Sequence, residues 1–397
     1  MKKIVRLIGF NAILTVGLLL VVTLVSAALM DLNRFVIYPL RHKDKALNEK
    51  GILKRDQLKI DGPTYVNKEE TLSIFADFRK TQTRYRPFEG YRREPVSLST
   101  TTVSQDGYRQ HQSNENNGPD AKRIGFFGGS TMWGTGVSDD QTIPAYVDQL
   151  STDYTTTNFG EAGFTSRNSL AAYINVLGAK EKLDIVIFYD GVNDSHYFCR
   201  EEHQFSTHMY EDVVNKSLDA DRKRIRSEMI KTLTGSTLTL TKKIIGKAKA
   251  ETTGKENYCE TRPEHAAKVA DNLIQNWEIA RAIALSQGAE FYAVLQPTPW
   301  QGEPNVSYLK EVGLMSETNA GESNVYRALR EKLAAKRYPW IHDLSQSMVS
   351  ETPYFIDLCH LNAAGNKRIS LQLLEFLSRR TNSAALAPQH ETPPATQ

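Results

Sequence analysis

Four short blocks of this 397-residue chain carry residue types that could do chemistry together. The first block, residues 126–131, has the sequence Phe-Phe-Gly-Gly-Ser-Thr and closes an apolar run. A serine that leaves a strand through two glycines can expose its hydroxyl at a sharp strand-to-helix turn, which suits a nucleophile. Met132 stands where the Gly-x-Ser-x-Gly elbow has its last glycine. The block therefore predicts Ser130 as a nucleophile and disfavours an α/β-hydrolase.

Two further blocks could supply hydrogen-bond donors for an oxyanion. Residues 158–163 (Asn-Phe-Gly-Glu-Ala-Gly) and 189–194 (Tyr-Asp-Gly-Val-Asn-Asp) each lie where an apolar run ends. Gly163 leaves its backbone N–H accessible, and the side-chain amide of Asn193 could donate to the same oxygen. Removing one such donor typically costs about 2.7–4 kcal/mol of barrier. Taken singly, Gly163 is more typical of a turn and Asn193 of a helix cap.

The last block, residues 357–362 (Asp-Leu-Cys-His-Leu-Asn), precedes a helical pattern. Asp357 and His360 are three residues apart, so the carboxylate can bond one ring nitrogen while the other ring nitrogen faces a serine. His360 would then take the serine proton as a general base. A metal site is the alternative for such a pair, but no third or fourth ligand is suitably spaced.

The elements that must position these blocks alternate between strand and helix patterns. Short apolar runs predict strands at 123–127, 154–159, 184–189, 290–295 and 340–344. Helical spacing of apolar residues predicts helices over 264–287 and 362–379. Strands separated by helices predict a parallel sheet with right-handed crossovers, and ligands of such sheets bind beyond the carboxyl ends of the strands.

The four blocks in this order resemble the SGNH (GDSL-like) hydrolases. That resemblance implies Ser130 as the nucleophile, His360 as the base and Asp357 as its partner. It implies Gly163 and Asn193 as oxyanion donors beside the Ser130 backbone N–H. It also implies a flavodoxin-like three-layer α/β/α sandwich with a five-stranded parallel sheet, and neither a metal nor an organic cofactor.

The resemblance covers residues 123–379 apart from an insertion at 200–262. It has one departure, because many members read Gly-Asp-Ser where this chain has Gly129 before the serine. Three neighbours are weaker candidates for substrate binding. Trp133 could wall an acyl pocket or pack in the core, Arg167 could meet a negative substrate or lie in solvent, and Gln296 should line the cleft rim.

The N-terminus predicts an uncleaved membrane anchor. Residues 1–7 carry three basic side chains, and residues 8–30 form an uncharged apolar run. Twenty-three helical residues rise about 34 Å, which is enough to cross a hydrocarbon core of about 30 Å. The basic residues place residues 1–7 in the cytoplasm and the catalytic domain outside it, periplasmic or extracellular. A cleaved signal peptide is the alternative.

Between anchor and C-terminus we expect three further parts. Residues 31–120 predict a juxtamembrane stalk, to about residue 64, followed by a lead-in with short strands near 90–92 and 107–109. Residues 121–380 form the hydrolase domain, whose 200–262 insertion predicts a basic lid or a solvated helical hairpin. The composition of 381–397 is typical of a disordered tail.

Cysteine usage leaves two alternatives open. Cys199 and Cys259 could pair in an oxidising compartment and close the base of the insertion, or all three cysteines of the chain could be free thiols.

The combined prediction is ester hydrolysis through an acyl-enzyme, with O-acetyl groups on carbohydrate as the expected substrate. Acyl transfer to a polysaccharide, lipase or lysophospholipase activity, and an inactive assembly role are the alternatives. Expected partners are an acylated small-molecule, glycan or lipid substrate and the membrane. A net charge of +3 with no recognisable nucleic-acid module argues against nucleic acid.

Overall fold

The computed structural model describes residues 52–200 and 256–385, together with Leu18 and Val21. The described residues 56–200 and 257–385 belong to one unit. In chain order the elements are α1 Lys54–Asp61, α2 Lys68–Lys80, β1 Thr83–Arg86, β2 Gly90–Arg93, β3 Val96–Ser97, β4 Thr102–Val103, β5 Lys122–Gly128, α3 Ser130–Trp133, α4 Ile143–Leu150, β6 Tyr154–Asn158, α5 Ser166–Gly178, β7 Ile185–Asp190, α6 Val192–Tyr197, α7 Tyr258–Thr261, α8 Pro263–Ser286, β8 Glu290–Leu295, α9 Ser307–Glu311, α10 Ala320–Ala335, β9 Ile341–Asp343 and α11 Ala363–Ala385.

Five strands form a parallel sheet in the order β6-β5-β7-β8-β9. Numbered from β5, this is the doubly wound order 2-1-3-4-5, whose switch point lies between the first and third strands. Every residue of the central strand β7 is buried, as expected for a parallel strand covered on both faces. The predicted five-stranded parallel sheet is confirmed, and each predicted strand is displaced by no more than one residue at either end.

The helices pack in two groups. Helix α8 contacts α5 and α10, whereas α11 contacts α4. This arrangement fits the predicted three-layer α/β/α sandwich. Apolar residues of α8 that recur on one face, such as Val269, Leu273 and Trp277, are buried completely, which explains why a 24-residue helix forms there.

The segment before β5 differs from the sequence prediction. Helix α1 lies within the range predicted as a stalk, and neither α1 nor α2 was predicted. Strand β2 covers the predicted strand near 90–92, but Arg109 forms only isolated bridges, to Val103 and Asn158. The charged sequence of α1 has no apolar stripe to reveal a helix, whereas Asn67 caps α2 by accepting from the N–H of Glu70.

Two other boundaries bear on the sequence predictions. Helix α11 continues to Ala385, five residues into the range predicted as a disordered tail, and residues 386–397 lie outside the described ones. Residues 201–255 of the insertion also lie outside them. At its base Cys199 and Cys259 form a disulfide, which settles the pairing that the sequence had left open.

The described residues contain no helix that is both long enough and apolar enough to cross a membrane. Apart from Leu18 and Val21, the predicted anchor at 8–30 lies outside the described residues. Membrane anchoring therefore stays a prediction.

Candidate active site

The serine, histidine and aspartate singled out in the sequence come together at the carboxyl ends of the strands. Ser130 is the first residue of α3, directly beyond β5. The Nε2 atom of His360 lies 2.7 Å from Oγ of Ser130, a distance that allows direct proton transfer. Gly128 lets the chain turn here, because a Cβ at this position would lie 2.5 Å from the carbonyl oxygen of Tyr189.

Asp357 holds the opposite edge of the imidazole. The Nδ1 atom of His360 lies 2.8 Å and 3.0 Å from the two carboxylate oxygens of Asp357. The backbone N–H groups of Cys359 and His360 both donate to Oδ1, at 3.1 Å and 3.0 Å. With an acceptor on Nδ1, the tautomer with a free Nε2 lone pair is favoured, which is the form a general base needs.

A residue that the sequence analysis missed completes this cluster. The Nζ atom of Lys59, in α1, lies 2.6 Å from Oδ2 of Asp357. Burial alone would raise the pKa of Asp357, but the charges and hydrogen bonds of His360 and Lys59 hold that pKa well below its usual range. Asp357 therefore stays ionised beside the histidine. A lysine within a highly charged helix offers no sequence signal for this role.

The second and third blocks meet beside Ser130. Gly163 has a φ of +83°, which favours glycine. Asn193 Nδ2 donates to the carbonyl oxygen of Phe164 at 2.7 Å, and a Cβ on Gly129 would come within 3.0 Å of the same nitrogen. The glycine that departs from the Gly-Asp-Ser pattern therefore leaves space for the amide of Asn193.

The backbone donors of this region are free to serve an oxyanion. Within residues 52–200 and 256–385, the N–H groups of Ser130 and Gly163 have no hydrogen-bond acceptor. One amide hydrogen of Asn193 is engaged with Phe164, and the amide carries a second. Asn193 and the loop that carries Gly163 both lie against Gly129, the residue before Ser130, so these donors are near the nucleophile, where an oxyanion would need them.

Strand β2 supports the loop that carries Gly163. The hydroxyl of Tyr91 donates to the carbonyl oxygen of Ala162 at 2.8 Å. The backbone N–H of Arg93 donates to Glu161 Oε2 at 2.9 Å. Burial raises the pKa of Glu161, although Arg93 and Arg92 oppose this shift. The loop is therefore held by residues from the range predicted as a lead-in.

Two buried carboxylates lie on either side of Asn193 in the sequence. Asp194 accepts from both the N–H and the hydroxyl of Ser166, at the start of α5, and burial raises its pKa to about 6. Asp190 accepts from the indole N–H of Trp277 at 3.0 Å, and burial raises its pKa as well. These bonds fix the turn between β7 and α6 that presents Asn193.

The three weaker sequence candidates lie in different surroundings. Trp133 is 1% exposed, and its ring packs against the guanidinium groups of Arg93 and Arg109, so its environment is that of a core aromatic. Arg167 is exposed in the first turn of α5. Gln296 directly follows β8 but is only 3% exposed, and its carbonyl oxygen accepts from Tyr326.

A metal ion is a poor occupant for the cluster. Asp357, Cys359 and His360 bring ligand-type atoms within 4.8 Å of one another. However, the ammonium group of Lys59 occupies Oδ2 of Asp357 and repels a cation. Burial and the neighbouring Asp357 charge also raise the pKa of the Cys359 thiol well above its usual value, which disfavours the thiolate that metals bind.

Comparison with known proteins gives matches only at the level of structure. No family model matches the sequence, and no curated protein is similar to it. A member of the lipolytic G-D-S-L family from Veillonella parvula is 14% identical, with a TM-score of 0.37 over 65% of this chain and 100% of that one. A carbohydrate acetylesterase from Sinorhizobium meliloti is 11% identical, with a TM-score of 0.36 over 65% and 99%. An aryl esterase from M. smegmatis is 14% identical, with a TM-score of 0.35 over 65% and 99%.

The match from Veillonella parvula bears the G-D-S-L name of the superfamily that the four sequence blocks resemble. Identities and TM-scores this low carry no argument about activity. The fold assignment rests on the strand order of the chain itself, and the chemistry rests on the geometry around Ser130.

Proposed function

We propose that this chain is a serine esterase of the SGNH type. The observation that carries the proposal is the contact of 2.7 Å between His360 Nε2 and Ser130 Oγ, with Asp357 on the other ring nitrogen. Nucleophile, base and orienting carboxylate are linked in a single hydrogen-bonded chain, which is the arrangement of hydrolytic triads on several unrelated folds. Free backbone donors lie next to the nucleophile, where charge would develop.

The reaction would proceed in two steps. In the first, His360 accepts the hydroxyl proton as Ser130 Oγ attacks the ester carbonyl carbon. The resulting oxyanion is held by the N–H groups of Ser130 and Gly163 and by the amide of Asn193. Collapse breaks the bond to the leaving alkoxide, which takes the proton from His360 and departs as an alcohol.

In the second step, water takes the place of the alcohol. His360 removes a proton from the water molecule, and the hydroxide attacks the acyl-enzyme carbonyl. The second tetrahedral intermediate collapses, Ser130 Oγ regains its proton from His360, and the carboxylic acid leaves. Acyl transfer to a sugar hydroxyl would use the same residues, because only the second nucleophile differs.

For the substrate we propose O-acetyl groups on carbohydrate at the outer side of a membrane. This location rests on the predicted anchor at 8–30 and is supported by the disulfide between Cys199 and Cys259, because disulfides persist in oxidising compartments. Lipid esters are the alternative substrate class, and acyl-chain preference distinguishes the two.

The test is labelling with a fluorophosphonate probe, which reacts with activated serines. The wild-type protein should be labelled, and Ser130→Ala should not be. The variant should unfold at the same temperature as the wild type, which shows that it is folded. Absence of labelling in the wild type would refute the proposal. A panel of acetyl and long-chain aryl esters then reports chain length. Release of acetate from an acetylated glycan without an acceptor supports hydrolysis, whereas new acetyl groups on a glycan assign acyl transfer instead.

A further inference from the structure

Lys59 joins the N-terminal segment to the catalytic cluster. It belongs to α1, 298 residues before Asp357 in the sequence, yet its ammonium group lies 2.6 Å from Oδ2 of that carboxylate. Both side chains are nearly buried, at 10% and 5% exposure. Buried ion pairs of this kind are strongly coupled, because removing one partner leaves an uncompensated charge. Position and burial together distinguish this contact from an ordinary surface pair.

We infer that Lys59 is a positioning residue for the esterase reaction, one that fixes the Asp357 carboxylate and limits how strongly it favours a charged His360. The inference rests on the proposed function. This role of Lys59 makes catalysis dependent on the packing of α1 against the domain, and α1 lies within the range predicted as a stalk. Lys59 touches neither substrate nor reacting atoms, so it acts through Asp357.

The hydrogen bonds of Asp357 show what Lys59 contributes. Oδ1 accepts from two backbone N–H groups and from Nδ1 of His360. Oδ2 is shared between Nδ1 of His360, at 3.0 Å, and Lys59. Without the ammonium group, Oδ2 would keep only its 3.0 Å contact with Nδ1 of His360. The carboxylate could then rotate, and the imidazole would lose its fixed orientation.

The charge of Lys59 also acts on the base. A cation beside Asp357 offsets part of the negative potential that would otherwise stabilise the imidazolium form of His360. Removing the cation therefore favours the imidazolium form, so the acid limb of the activity profile should move to higher pH. If Lys59 acted through packing alone, the acid limb would stay where it is in the wild type.

Other ionisable groups surround this pair. Asp56, on the same helix, lies 4.0 Å from the ammonium group. The Tyr65 hydroxyl and the Cys359 thiol both feel the charge of Asp357 and both have raised pKa values, largely through burial. Glu322 also contributes to the raised pKa of Cys359.

The experiment compares Lys59→Met, Lys59→Gln and Lys59→Arg with the wild type on an aryl acetate ester across pH 5–9. The neutral variants should lower kcat at least tenfold, leave KM within about twofold and move the acid limb of kcat/KM to higher pH by up to about one unit. Lys59→Arg keeps the charge and should keep the acid limb in place. An acid limb in the neutral variants that coincides with that of the wild type would overturn the inference.

A matched control separates this effect from damage to α1. The Lys68 side chain donates to the carbonyl oxygens of Ile60 and Gly62 at the end of α1 and does not contact Asp357. Lys68→Met should leave the pH profile unchanged. An identical shift in Lys68→Met would assign the effect to the docking of the helix and overturn the role of the Lys59 charge. Wild-type protein without fluorophosphonate labelling would instead refute the proposed function itself.

Discussion

Replacing Gly129 by alanine should remove most of the catalytic rate without unfolding the protein. Gly129 has φ −81° and ψ −155°, an extended conformation that alanine adopts readily. The backbone therefore does not require glycine here. The constraint is steric, because a Cβ at this position would come within 3.0 Å of Asn193 Nδ2 and 3.1 Å from the carbonyl oxygen of Phe164.

The size of the effect follows from what must move. The backbone oxygen of Phe164 is fixed in its loop, so Asn193 has to turn away from the oxyanion position and give up its bond to Phe164. Loss of one oxyanion donor typically costs about 2.7–4 kcal/mol of barrier, which is about 10²–10³ in kcat. KM should change little, because the donor acts mainly on the transition state.

The assay is steady-state hydrolysis of an aryl acetate ester by Gly129→Ala, Asn193→Ala and the double variant. Once Asn193 is alanine, the nearest remaining neighbour of the new Cβ is the Phe164 oxygen at 3.1 Å. Gly129→Ala should then cost less than about tenfold in that background, which gives a coupling energy of at least about 1.3 kcal/mol between the two positions. Gly178→Ala is the matched control, because a Cβ at Gly178 meets no atom within 4 Å.

Two results would refute this reasoning. If Gly129→Ala keeps wild-type kcat while Asn193→Ala loses it, the new Cβ at position 129 does not displace the amide of Asn193. If the two single losses simply add in the double variant, Gly129 acts through something other than Asn193. A large loss in Gly178→Ala would show that the method reports general destabilisation.

Two further predictions concern stability. Burial raises the pKa of Glu322 to about 8, so between its unfolded value and pH 8 the folded state binds a proton that the unfolded state lacks, and stability falls as pH rises. Glu322→Gln should remove this dependence on pH. In urea titrations, the free energy of unfolding of the wild type should fall by about 2 kcal/mol more than that of the variant between pH 5.5 and 7.5. Parallel curves for the two proteins would contradict this prediction. The disulfide between Cys199 and Cys259 spans 60 residues and should contribute about 4 kcal/mol in the chain-entropy model. The double Ser variant should therefore unfold at a lower urea concentration than the oxidised wild type, and coinciding midpoints would show that the bridge does not stabilise the domain.

The parts of this protein that could be predicted from the sequence are those written in local patterns. The strands β5, β7 and β8 are apolar runs of strand length, and their order among helices implies parallel pairing. The carboxyl ends of parallel strands lie at one edge of the sheet, so Ser130, Gly163 and Asn193 could be placed together once the strands were known. Asp357 and His360 lie within one turn of each other, so their contact is local too.

What only the tertiary structure decided is the support around these residues. Lys59 and Tyr91 lie in segments whose charged, polar sequences predicted a stalk and a lead-in, and their contacts join positions 298 and 71 residues apart. No periodicity or spacing encodes such a contact, because a lysine or a tyrosine is common on any surface and its partner is chosen by how the chain folds. Gly129 shows the same division. The sequence shows that the residue is glycine, but it does not show why. The reason is that the amide of Asn193 lies where a side chain would be, and this arrangement exists only after β5 and β7 have paired.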